Sequence, residues 1–183
     1  GTRVFTIDTS RSTVSYTVTE HVPTISQFHP AIGTFRVTGR APVRGGTIHV
    51  APSPGASSVR DVTVDALQLK TDQGLRDQFI DPGLADALAP FAEFSSTSLS
   101  GLPATIADGA TIQFKLTGRM QIHDVVQPVT LDTTATISGG TLSASATATF
   151  DMNVFRVSPP SGGVSTVDPT VTLEVHLVAT AGP

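Results

Sequence analysis

Apolar and polar side chains alternate with period two along most of the chain. Val14, Tyr16 and Val18 alternate with Thr13, Ser15 and Thr17, and Phe35 and Val37 alternate with Thr34, Arg36 and Thr38. Successive side chains of a strand point to opposite faces, so each stretch predicts a strand with one buried and one solvated face. Ile48 and Val50 continue the pattern after a Gly45-Gly46 turn, and Val62, Val64 and Ala66 do so after the Pro/Gly/Ser-rich loop from Pro52 to Ser58. The register then moves to Leu67 and Leu69, a one-residue slip that predicts a β-bulge. Ile112, Phe114 and Leu116, then Val129 and Leu131, then Leu142 to Phe150, and finally Val171 to Leu177 bring the total to about ten strands.

One region departs from the alternation. Between Lys70 and Pro90, Leu75, Phe79 and Ile80 fall at helical spacing, and Asp81-Pro82 reads as an N-cap followed by proline in the first turn, which predicts one or two short helices. The Ser158 to Gly163 stretch reads as a long surface turn. Strands with one apolar and one Thr/Ser/charged face form antiparallel sheets, and this many must pack on a second sheet or close on themselves. Both a sandwich and a barrel satisfy the pattern. A closed barrel of about eight strands leaves room for packed side chains or one small ligand. With no repeat and no low-complexity linker, residues 1–183 are expected to form one soluble, nearly all-β domain.

Composition narrows the function classes. Thr and Val together supply 47 of the 183 residues, which suits twisted strands and leaves little for helix. A net charge of −4 with 11 basic residues gives no stripe able to neutralise a phosphate backbone, so nucleic acid is not expected as a partner. No run approaches the 18 or so apolar residues of a membrane-spanning helix. The absence of cysteine excludes disulfides, thiolate zinc sites and cysteine nucleophiles. Aromatic residues are only 5% of the chain and there is no Trp, so side chains alone are expected to fill a large barrel incompletely.

Three segments resemble the YceI-like family of lipocalin-shaped polyisoprenoid-binding proteins. Gly118 to Val129 (GRMQIHDVVQPV) resembles the family's G-x-L-T-I-H-G-V-T-x-P-V segment at Gly118, Ile122, His123, Val125, Pro128 and Val129. Arg76-Asp77 is similar to the start of the family's R-D-x-H-L helix, and Pro90 to Thr97 (PFAEFSST) resembles its P-x-I-x-F-x-S-T strand. Phe5-x-Ile7-Asp8 with Ser12 and Val14 resembles the opening W-x-I-D…S-x-V, and Gly33-x-Phe35 the G-x-F that follows. The departures are Phe5 for Trp, Phe79 for the helix histidine, Asp124 for glycine in the H-G turn, and Met152 and Arg156 around Phe155 where the family often reads R-x-D-F-G. The resemblance implies a single antiparallel lipocalin-like β-barrel. It further implies export to the periplasm or cell exterior, with a signal peptide removed before Gly1, and binding of a long isoprenoid or similar amphiphile.

The chemistry-bearing residues favour no other class. His21, His29, His49, His123 and His176 have no close metal-ligand spacing; His49 and His176 fall on the polar parity of their strands, and His123 is expected to cap a turn. No G-x-S-x-G elbow occurs. Asp72, Asp77, Asp81 and Asp86 crowd the helical region without the oxygen spacing of an EF-hand, and capping explains them better than calcium. The expected tail contacts are Phe28, Phe35, Phe79, Phe91, Phe94, Phe114, Phe150 and Phe155, with Tyr16, Val18, Leu69, Leu84, Leu116 and Met120. Arg76 is expected near a polar head group.

The sequence therefore points to a non-catalytic carrier or scavenger of a long-chain apolar molecule: a polyisoprenoid, an isoprenoid quinone or a similar lipid. It needs no metal and no cofactor other than such a bound lipid. Two alternatives stay open: a small secreted hydrolase, and a structural or interaction β-domain with a filled core. A homodimer through an outer face is also open.

Overall fold

The computed structural model describes residues 1–26, 31–71, 91–159, 161–162 and 165–183. The strands are β1 (Arg3–Ile7), β2 (Thr13–Val22), β3 (Gly33–Val50), β4 (Ser58–Asp65), β5 (Lys70–Thr71), β6 (Phe91–Ser100), β7 (Thr111–Ile122), β8 (Val125–Ser138), β9 (Thr141–Asp151), β10 (Ser161–Gly162), β11 (Ser165–Val167) and β12 (Thr170–Ala181). Every pairing is antiparallel. The sheet runs β12-β9-β8-β7-β6-β4-β3-β2, and β2 pairs back onto β12 through Thr13↔His176 to Thr17↔Thr172, which closes an eight-stranded barrel. Closure removes the exposed edges that a sheet of this size would otherwise present.

β1 and β2 occupy one position in the circuit. β1 lies between β12 (Phe5↔Ala181) and β3 (Phe5↔Ile48), and β2 continues along the same two neighbours. The step between them is a turn organised by Asp8. Its carboxylate accepts bonds from the Ser10 amide (3.0 Å), the Ser10 hydroxyl (2.6 Å) and Arg11 Nε (2.7 Å). The Ser10 hydroxyl first, and then Arg11, lower the Asp8 pKa to about 2.

The buried faces follow the alternation, with three local breaks. Val43 and Ile48 on β3, Val59 and Val62 on β4, and Phe94 and Leu99 on β6 are odd numbers of residues apart, yet all lie in or against the core. In a regular strand one member of each pair would face solvent. An irregularity restores the facing each time: around Gly45-Gly46 in β3, at Asp61 (φ 54°) in β4, and at Ser96–Ser98 in β6. The three are neighbours across the sheet, since Val62 pairs with Phe94 and the Asp61 amide donates to Ser95 Oγ (3.0 Å). A row of bulges bends three strands at one level, as closure requires. Gly46 (φ 139°) has no Cβ because one would meet Ile7 and the Val62 backbone at 2.9 Å.

The structure corrects several local expectations. Gly45-Gly46 is not a turn between two strands but a bulge inside one strand of 18 residues. The slip at Leu67 and Leu69 is not a bulge but a strand end: β4 stops at Asp65 and a 3₁₀ turn spans Ala66–Gln68. Arg44 Nη2 (2.8 Å) and Gln68 Nε2 (3.0 Å) both donate to Asp65 and fasten that turn. Within the expected surface turn at 158–163, Ser161–Gly162 pairs with β11. The helices expected between Lys70 and Pro90 fall almost wholly outside the described residues, because 70–71 is the short strand β5 and 72–90 is not described. No helix among the described residues is long and apolar enough to cross a membrane.

Candidate functional site: an apolar void inside the barrel

At one end of the barrel are the loops 51–57 and 101–110 and the Gly139-Gly140 turn. At the other are the His123-Asp124 turn, the end of β2 and start of β3, and residues 152–159, 161–162 and 165–169. The second end is plugged on the β2, β9 and β12 side. There Met152, Phe155 and Val157 of a 3₁₀ turn (Met152–Phe155) and its exit are buried with Val18, Val37 and Val171. Asp151 caps this turn through the Asn153 amide (2.8 Å), and Arg156 ends it in the left-handed conformation.

Under β4, β6, β7 and β8 the interior is not filled. A void of about 200 Å³ is lined by side chains of β2, β3, β4, β6, β7, β8, β9 and β12 and by Leu102 and Ile106 of the 101–110 loop. β7 contributes Ile112, Phe114, Leu116, Met120 and Ile122, the apolar parity of a twelve-residue strand. The space exists because the facing wall is made of small residues. Between Leu131 and Ile137 on β8 and between Leu142 and Phe150 on β9, the lining positions carry Thr133, Ala135, Ala144 and Ala146, and these meet in register as Thr133↔Ala146 and Ala135↔Ala144. Leu or Ile at those positions would reach across the space. Gly118 adds to the effect: the Phe94 ring lies over it, in space that a Cβ there would occupy.

The void is almost wholly hydrocarbon. The hydroxyl of buried Thr133 donates to its own strand at Leu131 O (3.3 Å), and the Ser57 hydroxyl accepts from the Ala51 amide (3.0 Å). An apolar, poorly hydrated space of this kind stays dry and takes up apolar molecules.

Of the residues expected to contact a tail, Phe94, Phe114, Leu116, Met120 and Phe150 line the void. Phe155 does not; it is buried behind the wall and supports Phe150 edge-on at 5.3 Å between ring centroids. Val18 is packed into the core beside the plug, and Tyr16 lies against Gly39, directly opposite it on β3, which has no side chain to exclude the ring. Leu69 is half-buried past the 3₁₀ turn and is not part of the lining. Phe35 shares the parity of buried Val37 but sits near the start of β3, and it is 38% exposed. Phe28, Arg76, Phe79 and Leu84, and the side chain of Phe91, lie outside the described residues. The Ala and Thr wall was not anticipated. Its signal was there, as the run of alternate small residues Ala144, Ala146 and Ala148.

The polar clusters are elsewhere. His21 contacts Asp168 (Nε2 to Oδ1, 3.0 Å) and Thr34 (Nδ1 to Oγ1, 3.2 Å), tying together β2, β3 and the turn before β12. It lies on the parity opposite buried Val18 and Val22, so this group faces outward and serves as a fastening. His123, at φ 54°, makes up the β7–β8 turn with Asp124 and contacts its carboxylate (2.9 Å), which together with other neighbours lowers the Asp124 pKa. No group of three or more His, Asp or Glu able to hold a metal occurs among the described residues.

A sequence profile of the YceI-like domain matches residues 5–179 of the chain. Among solved structures, a polyisoprenoid-binding domain from Saccharophagus degradans, implicated in plant cell wall breakdown, is similar at 13% identity. It covers 97% of this chain and 98% of its own, with a TM-score of 0.67. BcnA from Burkholderia cenocepacia is similar at 20% identity, covering 95% of this chain and 99% of its own, with a TM-score of 0.62. No curated protein matches.

Proposed function

The chain belongs to the YceI-like family, and from that membership we propose that it binds the hydrocarbon tail of a long-chain amphiphile inside its barrel. The observation that carries this is the void of about 200 Å³ bounded by a wall of small side chains. A polyisoprenoid, an isoprenoid quinone or a lipid of similar length fits the chemistry, and the name of the Saccharophagus domain supports the first. The almost wholly hydrocarbon lining suits a tail, and the role is that of a carrier or scavenger without catalysis. Its place is the periplasm or the cell exterior.

A cavity of about 150 Å³ takes up benzene. By proportion this one holds about eight carbons. At about 0.8 kcal/mol for each, their burial contributes about 6 kcal/mol, which corresponds to tens of micromolar before ordering costs are subtracted. A long tail that binds more tightly must also be covered beyond the void.

Organic extraction of the purified protein followed by mass spectrometry tests the reading, with titration of the delipidated protein by isoprenoid quinones. A co-purifying long-chain lipid, or saturable uptake, is expected. A clean extract together with no uptake would refute it.

A further inference from the structure

We infer that residues 101–106 form a displaceable stopper, and that a tail too long for the void leaves the barrel beneath them. This rests on the proposed tail binding and adds an exit for the tail, at the end away from the His123-Asp124 turn. The loop divides into two parts. Its second half is fixed: Gly109 N donates to Ile137 O (2.7 Å), Ala110 N to Ala107 O (3.1 Å), and Gly139 N to Asp108 Oδ1 (3.3 Å). In the first half, among the described residues, no hydrogen bond holds Leu102 to Ile106 to the barrel.

What holds that half in place is apolar contact. Leu102 and Ile106, both half-buried, face the void, while Pro103, Ala104 and Thr105 are exposed. A hydrocarbon chain reaching this end would offer the same lining the same kind of contact, so the exchange breaks no hydrogen bond. The arm begins at Gly101 (φ 85°), where the Phe114 Cα would stand 3.8 Å from a Cβ, an ordinary contact, and a glycine there can absorb a change of backbone angle. The void has room for about eight carbons, so any longer tail needs such an exit or must stay outside.

The chain has no cysteine, so a single Thr105→Cys substitution places a nitroxide label on the exposed arm, and Ser143→Cys places a control on the outer face of β9. Electron paramagnetic resonance spectra are recorded with 1-octanol, whose chain the void accommodates, and with solanesol, whose chain far exceeds it. Uptake of each is measured by extraction from the same samples. The expected result is a severalfold rise in the mobile fraction of the Thr105 label with solanesol, none with octanol, and no change at Ser143. Uptake of solanesol with an unchanged Thr105 spectrum overturns the stopper and leaves tail binding standing. Failure of both chains to bind overturns tail binding and the stopper with it.

Discussion

Ala135→Leu should make the empty protein more stable and a worse binder. Ala135 is 6% exposed, lines the void, and faces Ala144 across the β8–β9 pair, so a larger side chain there has space in front of it. Three added carbons at about 0.8 kcal/mol each give about 2.4 kcal/mol of new burial. Ordering a leucine side chain costs about 0.5–1 kcal/mol. The net gain is about 1–2 kcal/mol, in the usual range for filling a cavity, and corresponds to a rise in Tm of about 2–8 °C for a chain of this size. The same carbons take about three-eighths of the volume available to a tail. The lost burial, about 2.4 kcal/mol, weakens octanol or quinone binding about 50-fold. Urea unfolding of the delipidated protein and calorimetric titration read the two effects separately. If the interior were already filled, the substitution would instead overpack it, costing about 1–3 kcal/mol and leaving uptake unchanged. That pair of results would refute the small-residue wall of β8 and β9 as the origin of the void.

Phe114→Ala should enlarge the void and admit a bulkier tail. Its cost in urea unfolding should stay below the roughly 3–5 kcal/mol of a close-packed phenylalanine, and a larger loss with unchanged bound lipid would remove Phe114 from the lining. Gly118→Ala puts a methyl group into the Phe94 ring and close to the Ser95 carbonyl oxygen, so a loss of about 1–3 kcal/mol is expected by urea unfolding. Wild-type stability would show that the ring moves aside freely. The depressed pKa of Asp8, about 2 against an ordinary 3.8, means that its contribution to stability is complete above about pH 4 and is lost as pH falls through about 2. NMR titration of the Asp8 carboxyl group should find its midpoint near 2, and a midpoint near 4 would contradict the Ser10 and Arg11 bonds.

The period-two alternation determined the strands, their inward faces and the antiparallel class, because a residue's face in a strand is fixed by its own position alone. It therefore identified Phe114, Leu116 and Phe150 as inward-facing before any pairing was known, while Phe94 and Met120 lay in segments that the family resemblance picked out. Within the described residues, what it misread lay where the local rule breaks. A glycine pair looks alike in a turn and in a bulge, and only the pairing of β3 with β1, β2 and β4 on either side shows that Gly45-Gly46 bends one strand. Parity alone also could not separate a wall from its backing. Phe155 and Val18 are as apolar as Phe150, but the 3₁₀ turn and the strand ends place them in the plug. Phe35 has the right parity and the wrong height along the barrel. Above all, the void is a property of register: Ala135 and Ala144 lie nine residues apart on the two strands of a hairpin and leave a gap only because β8 and β9 pair them directly. Small side chains written along a sequence do not say what stands opposite, and closure of the barrel decides whether a larger neighbour fills the space.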